Sequence, residues 1–333
     1  MRLKMAALLC LLCFITLRGG GVSAQNQRPI YVGLVTITTA NAPILAASDG
    51  GYFKKYGLDV RNIVMTGSSV ALSSMIAGEV SMVNVAGSGL INSYLAGADA
   101  TMVAGLVNFA PYDLIVSKEI SRIEDLKGKK LGIARYGGSA DFLARWALEK
   151  HGLKPAKDVA ILQTGGNPER LAGVANGVIQ ATLLEQAFSY QAKQLGLRSL
   201  LDYSTAGLDY QHDGVIVMES FLKKYPEVMP RFLKAIMEGT HRLKTDRAFG
   251  IKVFERHLRT SDAGLLQSSY DYYAPKFAVV PYTSAKGMKF LLDTIAETNP
   301  KAKSIKVEDM IDNSYLRDIE ASGFSKQLIS TRK

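Results

Sequence analysis

The chain has 333 residues, of which 47% are hydrophobic and 21% charged, and a formal net charge of +10. This length and apolar content exclude a disordered chain and suffice for a large core, divided over two domains. Basic residues alternate with acidic ones, as in KSIKVEDM, which is typical of a solvated surface and not of a nucleic-acid-binding stripe. We therefore predict no nucleic-acid partner, although the excess positive charge favours the approach of small anions.

The N-terminus has the pattern of an export signal. Two basic residues fall within residues 1–4, an apolar run covers 5–17, and Val22-Ser23-Ala24 ends the segment. The run is shorter than the roughly 20 residues of a membrane-spanning helix, so we predict a signal peptide over 1–24 that is cut after Ala24. The predicted location is the periplasm or another exported compartment; an uncleaved anchor is the alternative.

Both cysteines, Cys10 and Cys13, lie inside this predicted signal. The rest of the chain can therefore form no disulfide, no thiolate nucleophile and no cysteine metal site. Its stability must come from the packed core.

Strands and short helices alternate after residue 30. The first set of predicted strands covers 30–37, 58–65, 79–85 and 101–108, and the second covers 129–136, 151–162, 178–184 and 197–203. Glycines recur at a nearly fixed spacing: 99 residues separate Gly33 from Gly132, and 95 separate Gly57 from Gly152. The repeat predicts two similar α/β lobes, each a mostly parallel sheet flanked by helices.

The chain then returns and becomes helical. A short strand at 215–218 precedes predicted helices near 226–243, 248–258, 262–273, 284–297 and 306–321. We expect this helical tail to pack on the first lobe, with hinge strands near 112–118 and 203–215. The predicted domains are the signal at 1–24, lobe 1 at 28–115, lobe 2 at 116–213, and the second part of lobe 1 with the helical C-terminal region at 214–333.

Ligands bind beyond the carboxyl ends of strands in open parallel sheets. These ends are rich in Gly, Ser, Thr and Asn that lead into helices, where backbone N–H groups suit an anion or acceptor. The same residues are also ordinary helix caps. Arg135 could pair with an anionic ligand or be a solvated surface side chain, and Glu185 could accept from a ligand amine or cap a helix. The candidate ligand-binding residues are Thr38, Thr39, Asn41, Gly67, Ser68, Ser69, Ser88, Arg135, Gly138, Ser139, Asn167 and Glu185.

Searches for catalytic motifs find none. There is no Gly-x-Ser-x-Gly, Walker loop, His-Glu-x-x-His or spaced Cys/His cluster. Trp146 is interpreted as core, and the four histidines as surface or satisfied residues, while a contact of His212 or Asp213 with ligand stays open. We predict no catalytic residue, no metal and no cofactor.

Several segments together resemble a known family. They are GGYFKKYGLDV, AGEVSMV, DLKGKKLGI, GVIQATLLEQ and VIVMESFLKKYPEVMPRFLKAI, in this order between residues 28 and 324. The chain resembles a type II periplasmic solute-binding protein of ABC importers, in the nitrate/sulfonate/taurine and thiamine-pyrimidine-precursor branch. The resemblance implies a monomeric two-lobed clamp that closes on a small anionic or heteroaromatic molecule and delivers it to an inner-membrane permease.

Two other functions stay open. Enzymes of similar fold exist, but the pyrimidine-precursor synthases use a cysteine-rich segment, and the menaquinone-pathway enzymes are cytosolic. An extracytoplasmic sensor module is the other alternative, and neither the ligand nor the permease follows from the sequence.

Overall fold

The computed structural model describes residues 28–35, 38–65 and 67–330. The predicted signal peptide at residues 1–24 lies outside these ranges. Within them, no helix combines the length and the apolar character that crossing a bilayer requires.

The first half of the chain builds a five-stranded sheet. Its strands are β1 (Ile30–Val35), β2 (Val60–Met65), β3 (Met82–Ala86), β4 (Ala100–Val107) and, from the returning chain, β10 (Asp213–Met218). Their order is β2-β1-β3-β10-β4, and β1 pairs in parallel with β2 and β3. The strands β3 and β4 are buried on both faces, which explains their nearly continuous apolar sequences.

The second half repeats this plan. Its strands are β5 (Tyr112–Val116), β6 (Lys130–Ile133), β7 (Ala160–Gln163), β8 (Ala181–Glu185) and β9 (Arg198–Asp202). Their order is β7-β6-β8-β5-β9, so each strand of the first sheet has a counterpart at the same place in the second. The predicted repeat is therefore visible in the strand order itself.

One strand in each sheet runs against the others. The strand β10 is antiparallel to β3 and β4, and β5 is antiparallel to β8 and β9. The chain enters each of these two strands from the other sheet, so each begins beside the carboxyl ends of its neighbours. The two sheets are mixed for this reason, although four strands of each run in one direction.

One predicted domain boundary falls inside a strand. All of β5 pairs within the second sheet. The predicted boundary between residues 115 and 116 therefore lies in a strand of the second half, and so does most of the predicted hinge strand near 112–118. The chain passes between the sheets at 108–111 and returns at 206–212. We therefore propose these two segments as the connections between the lobes.

Short helices follow the parallel strands in both halves. They are α1 (Ala42–Asp49), α2 (Tyr52–Lys55), α3 (Ser68–Ile76), α4 (Gly87–Leu95), α5 (Ser139–Lys150), α6 (Asn167–Ala175) and α7 (Gln186–Gln194). Gly57 (φ +68°) and Gly152 (φ +74°) have left-handed backbones at equivalent joints between helix and strand. A side chain would be strained there, so the repeated glycine has a backbone cause.

The C-terminal region is helical. Its helices are α8 (Glu219–Lys224), α9 (Val228–Thr245), α10 (Arg247–Leu258), α11 (Ala263–Tyr273), α12 (Ala285–Thr298), α13 (Ser314–Ala321) and α14 (Phe324–Ser330). The helix predicted near 306–321 forms only over Ser314–Ala321, as α13. Residues 310–312 instead pair with Met102 of β4 through two backbone hydrogen bonds of 2.9 Å, so the helix begins after this pairing.

The C-terminal helices cover the first sheet, as predicted. One face packs against α1, α9, α10 and α11 around Phe232 and Phe254. The other face packs against α3, α4 and α12, and this core continues without a break into the second sheet through Leu131 and Leu143. The two sheets therefore share one apolar core.

Candidate functional site

Buried and half-buried polar side chains from both halves of the chain meet where the parallel strands end. Glu185 is the last residue of β8, Tyr112 starts β5, and Asp213 starts β10. The segment that returns between the sheets supplies two more members, and α6 and α11 supply the rest. We call this set the cleft cluster, and it consists of Tyr112, Asn167, Arg170, Glu185, Tyr210, His212, Asp213 and Tyr273.

Glu185 is held only by long hydrogen bonds. Its Oε1 accepts from Tyr112 OH at 3.5 Å and from Asn167 Nδ2 at 3.4 Å. Burial raises the pKa of Glu185, His212 acts in the opposite direction, and Asp213 raises it further. Long bonds are weak, so this carboxyl keeps capacity to accept a stronger donor.

The Arg170 guanidinium is committed to its own helix and loop. It donates to Asn167 Oδ1 at 2.6 Å and to the Gly165 carbonyl at 3.1 Å, and the residue is 3% exposed. Arg170 lies three residues after Asn167 on α6, the spacing that places two side chains on one helix face. The bond from Nη2 therefore orients Asn167 towards Glu185.

His212 is fixed by backbone and rings. Its backbone N–H donates to the Val107 carbonyl at 2.9 Å. Its ring packs edge-on against Tyr112, with the ring centroids 5.4 Å apart, and stacks on Tyr210, with the centroids 6.3 Å apart. Burial lowers the pKa of His212 to about 4, although Glu185 acts in the opposite direction. The imidazole is therefore neutral at pH 7 and can donate one hydrogen bond while accepting another.

Asp213 faces the same space. Its Oδ1 lies 3.8 Å from His212 Nε2, and burial raises its pKa to about 7. At neutral pH this carboxyl is divided between its charged and neutral forms, because its pKa is close to the ambient pH. It can accept from a ligand when ionised and donate when protonated.

Four buried atoms of the cleft cluster make no hydrogen bond of normal length and angle to any other described atom. They are Arg170 Nε, Tyr210 OH, His212 Nδ1 and Tyr273 OH. An unsatisfied buried polar atom costs about 1–3 kcal/mol. Their convergence around Glu185 and Asp213 is the arrangement expected where a polar ligand supplies the missing partners.

Two buried tyrosines of the cleft cluster lie close to predicted site residues. Burial raises the pKa of Tyr210, and the Ser139 hydroxyl acts in the opposite direction. Burial also raises the pKa of Tyr273, the nearby Glu185 raises it further, and the Thr39 hydroxyl opposes them. Thr39 and Ser139 therefore border the cluster, one from each half of the chain.

The predicted site residues divide into two groups. Thr39, Ser139, Asn167 and Glu185 belong to or border the cleft cluster. The others occupy the same strand ends: Thr38 and Ser68 are half-buried, Ser88 is buried, Ser69 and Arg135 are exposed, Gly67 and Gly138 precede α3 and α5, and Asn41 accepts from Asn84 Nδ2 at 2.8 Å. This second group therefore surrounds the cluster at the strand ends without being part of it.

Sequence reasoning missed Tyr112, Arg170, Tyr210 and Tyr273. Arg170 had a signal, since it follows Asn167 by one helical turn at the end of a strand. The tyrosines had none, because each reaches the cleft only through the packing of distant elements.

Two surface grooves lie elsewhere. One of about 540 Å³ runs between Arg28, Leu58 and Tyr225 at the strand starts of the first sheet. The other, of about 530 Å³, follows α12 between Lys286 and Lys306. Across the described ranges, no three His, Cys, Asp or Glu side chains are grouped so as to hold a metal ion.

The family described as NMT1/THI5 like matches residues 38–246, more than half of the chain. The protein belongs to the NMT1/THI5-like family. Within the described part of this family member, the match covers every strand of the two sheets except β1, and all of the cleft cluster except Tyr273. The resemblance inferred from the sequence is thereby confirmed.

Relatives of this NMT1/THI5-like protein carry two kinds of name. YtlA of Bacillus subtilis (strain 168), named as a binding protein, is 23% identical over 268 residues, or 77% of this chain and 79% of YtlA. THI11 of Saccharomyces cerevisiae (strain ATCC 204508 / S288c), named 4-amino-5-hydroxymethyl-2-methylpyrimidine phosphate synthase, is 28% identical over 224 residues, or 63% of this chain and 65% of THI11.

A solved structure shares the whole architecture. The periplasmic aliphatic sulphonate binding protein SsuA from Escherichia coli matches with a TM-score of 0.71 and 17% identity, over 85% of this chain and 92% of SsuA. The two-lobed α/β fold of type II periplasmic binding proteins, predicted from the repeat and the resemblance, is confirmed.

Proposed function

We propose that this protein is the exported solute-binding component of an ABC importer and that it binds a small molecule in the cleft between its lobes. The observation that carries this proposal is the convergence of unsatisfied polar atoms and two carboxyls at facing strand ends. Binding that bridges both halves stabilises a closed form, and closure is the signal that a membrane permease reads. We propose that the chain is monomeric and acts in the periplasm.

The charges of the cleft cluster favour one ligand class. Two carboxyls face the space, while the Arg170 terminal nitrogens already bond to Asn167 and Gly165. Tyr112, Tyr210 and His212 add aromatic walls. A heteroaromatic molecule with N–H donors satisfies these groups better than a bare oxyanion does, because an anion would meet two carboxyls and only one cation, the Arg170 guanidinium.

A thermal-shift screen tests both the function and the class. We expect 4-aminopyrimidines to raise the unfolding temperature at pH 7, and nitrate and ethanesulfonate to leave it unchanged. Ligand at 100 times its Kd stabilises the folded state by about 2.7 kcal/mol. A shift with the sulfonate and none with the pyrimidines would reverse the assignment of ligand class.

Glu185→Gln tests the cleft itself. The variant keeps the shape but removes the strongest acceptor, so we expect at least about a tenfold loss of affinity for any compound found in the screen. Asp209→Asn, at an exposed carboxyl of the same returning segment, is the matched control. Equal affinities of the two variants would remove the cleft as the binding site.

Catalysis is the second candidate, and the synthase name of THI11 favours it. Both cysteines of this chain lie at residues 10 and 13, so the cleft contains no thiol. We propose binding without turnover. Release of a phosphorylated pyrimidine by the purified protein, detected by mass spectrometry, would support the synthase instead.

A further inference from the structure

Helix α11 is anchored in the first half of the molecule by apolar contacts. Leu266, Tyr270 and Tyr273 belong to the core that surrounds α9 and α10. The Tyr270 hydroxyl also donates to the Leu243 carbonyl at 2.9 Å. Because the burial of large apolar side chains is strongly stabilising, α11 stays with the first sheet when the lobes separate.

The same helix touches the second half through polar groups. Gln186, the first residue of α7, donates from Nε2 to Ser268 Oγ at 2.9 Å and accepts at Oε1 from Ser269 Oγ at 2.8 Å. Gln186 is 8% exposed and Ser269 is fully buried, so these bonds are shielded from water. The Tyr190 hydroxyl lies against Gly264, where a side chain on α11 would collide with it.

We propose that the contacts of α11 with α7 form a latch that holds the cleft closed, an inference that rests on the hinge closure proposed above. The latch consists of Gln186, Ser268 and Ser269. Gln186 directly follows Glu185 of the cleft cluster in the chain. A ligand that orders Glu185 therefore also positions the latch.

The composition of the latch suits a contact that must open. A net hydrogen bond contributes about 0.5–1.5 kcal/mol, so the Gln186 pair biases the closed form about 5- to 150-fold. Separated hydroxyls and amides regain bonds to water, whereas a separated apolar surface would not. The apparent affinity for ligand scales with the closed fraction, so the latch sets affinity without touching ligand.

The distance between the lobes reports whether the latch is closed, and it can be measured without any ligand. Spin labels are attached at Ser73→Cys on α3 and Ala172→Cys on α6, two exposed and equivalent positions in the repeat. The chain carries its own cysteines only at residues 10 and 13, and protein expressed without residues 1–24 lacks both. Electron-electron distance measurement on refolded, ligand-free protein then gives the ratio of short to long distances.

We expect Gln186→Ala to lower the ratio of short to long distances at least fivefold, and Ser269→Ala to lower it to a lesser extent. Gln191→Ala, at an exposed position of the same helix, should leave the ratio unchanged. Circular dichroism tests whether each variant is folded. If Gln186→Ala does not fold, Ser269→Ala is used in its place. The proposal fails if Gln186→Ala and Gln191→Ala give the same ratio, or if the labelled parent has no short distance. Neither result depends on the ligand screen, so each proposal can fail alone.

Discussion

Gly287, the third residue of α12, sets the position of the returning segment that carries Tyr210 and His212. A Cβ at this position would lie 2.5 Å from Gln211 N and 2.6 Å from the Tyr210 carbonyl carbon. Both are backbone atoms, and Gln211 is held by hydrogen bonds to Ser284 N at 2.9 Å and the Asp213 carbonyl at 3.0 Å. The substitution Gly287→Ala must therefore move α12 or the segment by about 1 Å to restore contacts of roughly 3.5 Å.

The expected cost follows from these distances. Overpacking of this kind destabilises by about 1–3 kcal/mol, while alanine in a helix gains about 0.5–1 kcal/mol over glycine. We expect the free energy of unfolding of Gly287→Ala to fall by about 1–2 kcal/mol. We also expect weaker binding of any ligand found in the screen, because His212 and Tyr210 move with the backbone.

Gly89→Ala is the matched control. Gly89 is also the third residue of its helix, α4, but a Cβ there would meet only side chains, with Leu72 nearest at 3.3 Å. We expect this variant to be as stable as the parent or more stable by up to about 1 kcal/mol. Urea unfolding with fitted m-values measures both. Equal stability of the two variants would refute the claim that α12 fixes the segment by close backbone packing.

Two further predictions concern stability. The pKa of Asp213 is raised to about 7, so this residue lowers the stability of the folded protein as pH rises from about 4 to 7. The pKa of His212 is lowered to about 4, so this residue lowers the stability as pH falls below about 6.5. The two slopes are each about 1.4 kcal/mol per pH unit and oppose one another. Relative to the parent, Asp213→Asn should therefore gain stability with rising pH between 4.5 and 6.5, and His212→Gln should lose it; slopes of the same sign in urea unfolding would contradict this. Asn84→Ala removes the buried 2.8 Å bond to Asn41 and should lower the free energy of unfolding by about 1–3 kcal/mol, while the exposed Asn92→Ala should change it by less than about 0.5 kcal/mol.

The sequence was sufficient for the architecture. Strand and helix periods, with glycines at equivalent joints, predicted two similar α/β lobes, because Gly57 and Gly152 occupy left-handed backbones that other residues avoid. The carboxyl ends of the strands also predicted the region of the site, and Asn167 and Glu185 meet there. Local patterns decide these features, since each depends on residues close together in the chain.

Tertiary packing decided which side chains complete the site. Tyr273 on α11 lies near Glu185, although 88 positions separate the two residues in the chain. Asn41 was a candidate ligand-binding residue like Asn167, yet it bonds to Asn84 inside the first sheet. The difference arises because a side chain's partners depend on how helices from distant parts of the chain pack together, and no local periodicity records that packing.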